Sequence, residues 1–136
     1  MIVVDASAAV EILTDTPAGA RALAAMRSRL PVVVPASFDT EVFNGLRRMF
    51  LRRGIAHDAL LGAIDLLAIF DAERTDVRRS LRAAARLVDN FGGHDVFYAL
   101  LAIDRGCPLL TLDLGFARAA TAAGIDVIAI DRSRPA

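Results

Sequence analysis

Three short apolar runs carry no polar alternation: Ile2-Val3-Val4, Val32-Val33-Val34 and Leu109-Leu110-Thr111-Leu112. A fourth, Val127 to Ile130, is similar. A strand that is apolar on both faces has to be covered on both, and each run is separated from the next by segments of helical length. Strands alternating with helices in this way imply an α/β fold, a three-layer α/β/α sandwich around a central parallel sheet. A chain of 136 residues accommodates one such domain, taken as residues 1–136.

The intervening segments carry start and stop signals. Ser7 is expected to cap the helix that follows the first strand, and Thr16 before Pro17 opens an Ala-rich helix to about Leu30, stopped by Pro31. Ser37 or Asp39 starts a helix through Glu41, Val42, Phe43, Leu46, Met49 and Phe50, ended by Gly54. The segment from Asp58 to Phe70 is apolar almost all round, so as a helix it needs burial on several sides. Thr75 or Asp76 is predicted to cap a long helix from Val77 to Phe91, and Gly92-Gly93 breaks the chain before a helix running from Asp95 to Gly106. A helix from Gly115 to Ala123 precedes the last strand.

Hydrophobic residues make up 55% of the chain, yet no apolar run approaches the roughly 18 residues of a membrane span. With no basic and apolar leader at the N-terminus, a cytoplasmic location is expected. The apolar surplus exceeds what one small core hides, which predicts a homodimer or a bound protein partner. Cys107 is the single cysteine and reads as a small buried hydrophobe. Formal net charge is zero, which argues against broad attraction to nucleic acid and leaves local patches open. Every basic residue is arginine, whose planar fork suits phosphate, and Arg47, Arg48, Arg52 and Arg53 could flank a crevice.

Asp5 ends the first strand and Asp113 the strand from Leu109, while Glu41 and Asp95 lie near helix starts. In open α/β sheets the ligand crevice lies beyond the carboxyl ends of the strands, so these four acids converge on one pocket. Oxygen donors of this kind suit Mg²⁺, and possession of four crowded carboxylates gives the pocket a physical reason to take a cation. No P-loop or glycine-rich dinucleotide turn follows any strand, and two histidines with one thiol do not make a zinc site. A phosphoreceiver or aspartate-nucleophile phosphatase would place a lysine near the phosphate, and this chain has none. His94, beside Asp95, could touch a substrate.

At these residues the chain resembles the PIN-domain ribonucleases, and within them the VapC toxins of bacterial toxin–antitoxin pairs. The likeness rests on Ile-Val-Val-Asp-Ala-Ser at 2 to 7, Pro35 through Glu41-Val42-Phe43-Asn44-Gly45-Leu46, His94-Asp95-Val96-Phe97-Tyr98-Ala99-Leu100-Leu101-Ala102, and Leu110-Thr111-Leu112-Asp113. The resemblance implies a Mg²⁺- or Mn²⁺-dependent endoribonuclease that leaves a 5′-phosphate and a 3′-hydroxyl and is neutralised by a cognate antitoxin. It also implies that Asp5, Glu41, Asp95 and Asp113 are the catalytic, metal-binding acids, with Ser7 and Thr111 as supporting hydroxyls. Asn44, three residues beyond Glu41, could hydrogen-bond a carboxylate or phosphate oxygen. The alternative is a PIN-like module that binds RNA or a protein without cutting.

Overall fold

A computed structural model describes residues 1–135. Within them, strands β1 (Ile2–Val4), β2 (Val32–Pro35), β3 (Glu73–Thr75), β4 (Leu109–Thr111) and β5 (Val127–Ala129) form one sheet in the order β3-β2-β1-β4-β5. Every pairing is parallel, with Val3 opposite both Val33 and Leu109. The three central strands are buried throughout, as runs without polar alternation require.

The helices are α1 (Ala6–Leu13), α2 (Pro17–Arg27), α3 (Phe38–Leu51), α4 (His57–Ala68), α5 (Leu81–Ala85), α6 (Asp95–Arg105) and α7 (Leu114–Ala122). They sandwich the sheet: α6 packs on β1 and β2, α1 and α2 reach β4, and α3 and α4 form a hairpin laid against α1. The Thr16 hydroxyl accepts from Gly19 N at 2.9 Å, the expected cap, and Gly106 closes α6 in the left-handed region at φ 58°. Among the described residues no helix is long and apolar enough to cross a membrane.

Three local expectations are corrected. Ser7 lies inside α1 rather than capping it, and its hydroxyl turns to Asp5. The predicted helix from Val77 to Phe91 reduces to a 3-10 turn at Arg78–Ser80, the five residues of α5 and further turns. Within it only Ala84 and Phe91 are buried while Leu81 and Val88 stay exposed, so too little apolar area is covered to hold a longer helix. Helix α2 ends at Arg27, short of Leu30.

Strand β3 has no counterpart in the sequence reading, because Glu73-Arg74-Thr75 is charged and short. It forms on the free edge of β2, where the Arg74 fork binds the Asp39 carboxylate at 2.8 and 3.0 Å and Arg105 donates to Glu73 at 3.1 Å. Charges on an outer strand also discourage further pairing at that edge.

Candidate active site

Strand β1 ends at Val4, so Asp5 emerges at the carboxyl end of the sheet beside β4, where the strand order departs in two directions from β1. Its carboxylate is almost fully buried, at 6% exposure, and one oxygen is clasped. Ser7 donates to Oδ2 at 2.6 Å and Thr111 to the same oxygen at 2.7 Å. Both hydroxyls are themselves oriented, Ser7 accepting from Leu112 N and Thr111 from Asp113 N, each at 3.0 Å. Oδ1 takes no part in this clasp.

Glu41 repeats the pattern one helix away. Ser37, at the N-cap of α3, donates to Oε2 at 2.8 Å, and the Tyr98 hydroxyl reaches the same oxygen from α6 at 3.1 Å. Oε1 stands 3.9 Å from His94 Nδ1 at the rim. Asp113 caps α7 with Oδ1, which accepts from Phe116 N at 3.0 Å, and its other oxygen is left over. Asp95 opens α6 in the first turn. Three carboxylates are thus each fixed through one oxygen, and the second oxygen of each stays outside that fixing bond.

All four acids line a single cleft of about 260 Å³, together with Ser7, Asn44, Gly45, Arg48 and His94. Their fields overlap. Burial pushes the Asp95 carboxyl up to about 6, with Asp5, Asp113 and Glu41 adding to the rise in that order. Asp5 is raised by burial against the opposing bonds from Ser7 and Thr111, and Glu41 by burial against the Ser37 bond. A roomier hollow of about 440 Å³ lies at the opposite end of β4 around Gly106, Pro108 and Gly124, and Asp126 is its single acid.

The donor set suits a hard divalent cation: oxygen ligands only, excess negative charge, and positions held by hydrogen bonds. Among the described residues no three His, Cys, Asp or Glu side chains stand as a ready-made ligand cage. Mg²⁺ does not require one, since it keeps several waters and uses one or two carboxylates with substrate oxygens.

Of the residues expected at the site, Asp5, Glu41, Asp95, Asp113, Ser7 and Asn44 line one cleft, with Thr111 on Asp5 behind it. Asn44 is exposed and its side chain makes no hydrogen bond among the described residues. Of the four arginines expected to flank the crevice, Arg48 lines it, and Arg47, Arg52 and Arg53 do not. Tyr98 and Ser37 were missed. A signal lay in spacing for Ser37, which precedes Glu41 by four residues, while Tyr98 lies 57 positions from Glu41 and carried none.

Comparison with known proteins shows the family. The PIN domain profile matches residues 2–122, nearly the whole chain. The chain belongs to the PIN-domain family. Within it, this PIN domain is of the VapC ribonuclease type: it is 36% identical to Ribonuclease VapC12 of Mycobacterium tuberculosis over 114 residues, covering 83% of the chain and 87% of the relative. Ribonuclease VapC3 of the same organism is 33% identical over 118 residues, covering 87% and 86%. The fold of this PIN domain also matches the crystal structure of FitAcB from Neisseria gonorrhoeae at a TM-score of 0.55 and 20% identity, over 97% of this chain and 98% of that one.

The charge crowding sets a pH dependence. Because the folded-state pKa of Asp95 lies above its unfolded value, the folded chain binds an extra proton between pH 3.8 and about 6. That stabilising contribution is complete below 3.8 and is lost as pH rises through about 6. Asp5 and Glu41 shift in the same direction. In a chelator, the part of the thermal midpoint due to this site is expected to fall from pH 5 to pH 7, and millimolar Mg²⁺ should restore it. Replacing Asp95 by Asn should flatten the difference between chelator and Mg²⁺; an unchanged difference in that variant refutes the charge-crowding account.

Proposed function

We propose that this chain is a divalent-cation-dependent endoribonuclease, the toxin of a type II toxin–antitoxin pair neutralised by a cognate antitoxin. The observation that carries the reading is the set of four acids on one cleft, three of them fixed by hydrogen bonds to one carboxylate oxygen. Asp5, Glu41, Asp95 and Asp113 would hold Mg²⁺ or Mn²⁺, which when bound supplies Lewis-acid polarisation of a phosphodiester and acidifies water. Ser7 and Thr111 keep Asp5 in register, and Ser37 and Tyr98 do the same for Glu41. Asn44 and Arg48 line the α3 side of the cleft, where they would meet substrate oxygens.

The purified chain should cut cellular RNA in Mg²⁺ and leave it intact in a chelator, with new ends carrying 5′-phosphates. RNA left whole in Mg²⁺ at stoichiometric protein overturns the proposal. A non-catalytic binding module is the second reading, favoured by the lack of a ready-made ligand cage. Calorimetry separates the two, because a module without a working site gives no heat with Mg²⁺ or Mn²⁺.

The partner part of the proposal is supported by apolar surface. Phe43 and Leu51 on α3, Leu61 and Leu66 on α4, and Ile69 just after it are all exposed, Ile69 by 77%. A helical hairpin that shows this much apolar area to water suits a second copy of the chain or an antitoxin segment. Light scattering of the free protein is expected to give twice the chain mass. Phe43→Ser with Leu61→Ser should restore the monomer if this hairpin is the contact; a monomeric native chain at high concentration removes the homodimer.

A further inference from the structure

Glu11 is a buried carboxylate that the site described above does not use. It is 8% exposed in the middle of α1, and its two oxygens are both taken: Thr16 donates to Oε2 at 2.5 Å and Arg132 Nε to Oε1 at 2.7 Å. Arg132 lies beyond the last strand, and that segment is fixed twice more, by Arg132 Nη1 to the Leu112 carbonyl at 3.3 Å and by Arg21 to the Asp131 carbonyl at 2.8 Å. A guanidinium carries five N–H donors. Nε and one Nη1 donor are spent inward, while half of the side chain, 52%, remains open to solvent. The unspent donors of Arg132 therefore have a fixed anchor and a free side.

That free side borders a groove of about 500 Å³ lined by Ser7, Val10, Gly45, Arg48, Arg52 and Arg132 among others. Ser7, Val10, Gly45 and Arg48 also line the acidic cleft, so the groove continues it. Its floor is the crossing of α1 and α3, where a side chain on residue 45 would not fit: a Cβ on Gly45 would stand 2.6 Å from Val10 Cγ2. Arg48 on α3 and Arg52 at its C-cap, one turn apart, make no ion pair among the described residues. A chain of zero net charge thus places three arginines around one groove that opens into its most acidic cleft.

We infer that Arg132, Arg48 and Arg52 form a phosphate-binding subsite that holds the RNA backbone next to the bond presented to the acidic cleft. The inference deepens the nuclease reading and rests on it for the identity of the ligand. Arg132 is the distinctive member: locked on Glu11, it loses little side-chain freedom when it accepts a phosphate, so it fixes the register of the backbone where Arg48 and Arg52 attract it.

The test is binding of a short single-stranded RNA in a chelator, read by fluorescence anisotropy over a range of salt. Arg48→Gln, Arg52→Gln and Arg132→Gln are each expected to weaken binding about five- to tenfold and to lower the salt slope by about 0.7, the value for one single-strand phosphate contact. Arg27→Gln and Arg79→Gln, which lie outside the groove, should bind as the native chain does. Arg132→Lys keeps a cation beside Glu11 while losing the fork, and should fall between native and Gln if Arg132→Gln proves unstable. Native affinity and slope in the Arg48, Arg52 and Arg132 variants, or no RNA binding by the native chain at low salt, overturns the subsite. Arginine-dependent binding without any Mg²⁺-dependent cleavage leaves the subsite standing and removes the nuclease reading. Undiminished cleavage by the triple variant does the reverse.

Discussion

Asp5→Asn is expected to lower the rate of Mg²⁺-dependent RNA cleavage by about three orders of magnitude, equivalent to about 4 kcal/mol of barrier, while leaving the chain folded. Asparagine keeps the volume of the side chain and one oxygen, so Ser7 and Thr111 retain an acceptor in the place where they meet Oδ2. What disappears is the charge at the buried centre of the cleft. That charge raises the neighbouring Asp95 carboxyl, so its loss should also bring the Asp95 pKa down and hold or raise the thermal midpoint in a chelator. Lower activity with unchanged or higher stability is a combination that a merely structural role for Asp5 does not give. Asp126→Asn, at the other end of β4, is the matched control and should cleave as the native chain does. Native-like cleavage by Asp5→Asn would mean that the four acids are not the catalytic centre.

Gly19→Ala should be the most damaging small substitution outside the cleft, costing about 2–3 kcal/mol of stability. Alanine is the better helix former by about 1 kcal/mol, so propensity alone predicts the opposite sign. In the folded chain α2 crosses α1 so closely that a Cβ on Gly19 would lie 2.0 Å from the carbonyl oxygen of Glu11, a backbone atom that cannot turn aside. Separating the helices would disturb Glu11, Thr16 and the Gly19 cap bond together. Denaturant unfolding checks the size of the loss, and a Gly19→Ala chain as stable as the native one would show that α1 and α2 part without cost. Because Glu11 anchors Arg132, the variant should also bind RNA less tightly.

The parallel sheet, the sandwich and the four acids were legible because each depends on local chemistry that recurs in one direction along the chain. A short β-branched apolar run flanked by breakers fits a strand covered on both faces, and an acid at its carboxyl end is aimed at the crevice wherever the neighbouring strands lie. Helix starts at Thr16 and Asp95 were legible for the same reason, through capping and breaker residues within a few positions. The long helix expected from Val77 failed because periodicity in charged residues does not report whether an apolar face is available to bury.

What the chain determined by itself was the set of candidate site groups: which carboxylates end strands, which hydroxyls stand beside them, and that no lysine, zinc set or phosphate loop competes. Tertiary structure alone decided how those groups are held. Strand β3 exists because β2 offers a free edge and Arg74 finds Asp39; Tyr98 reaches Glu41 across 57 positions; Arg132 finds Glu11 across 121. Such contacts join residues whose own neighbours give no sign of them, because a hydrogen bond or ion pair depends on distance in space while a sequence displays only order along the backbone.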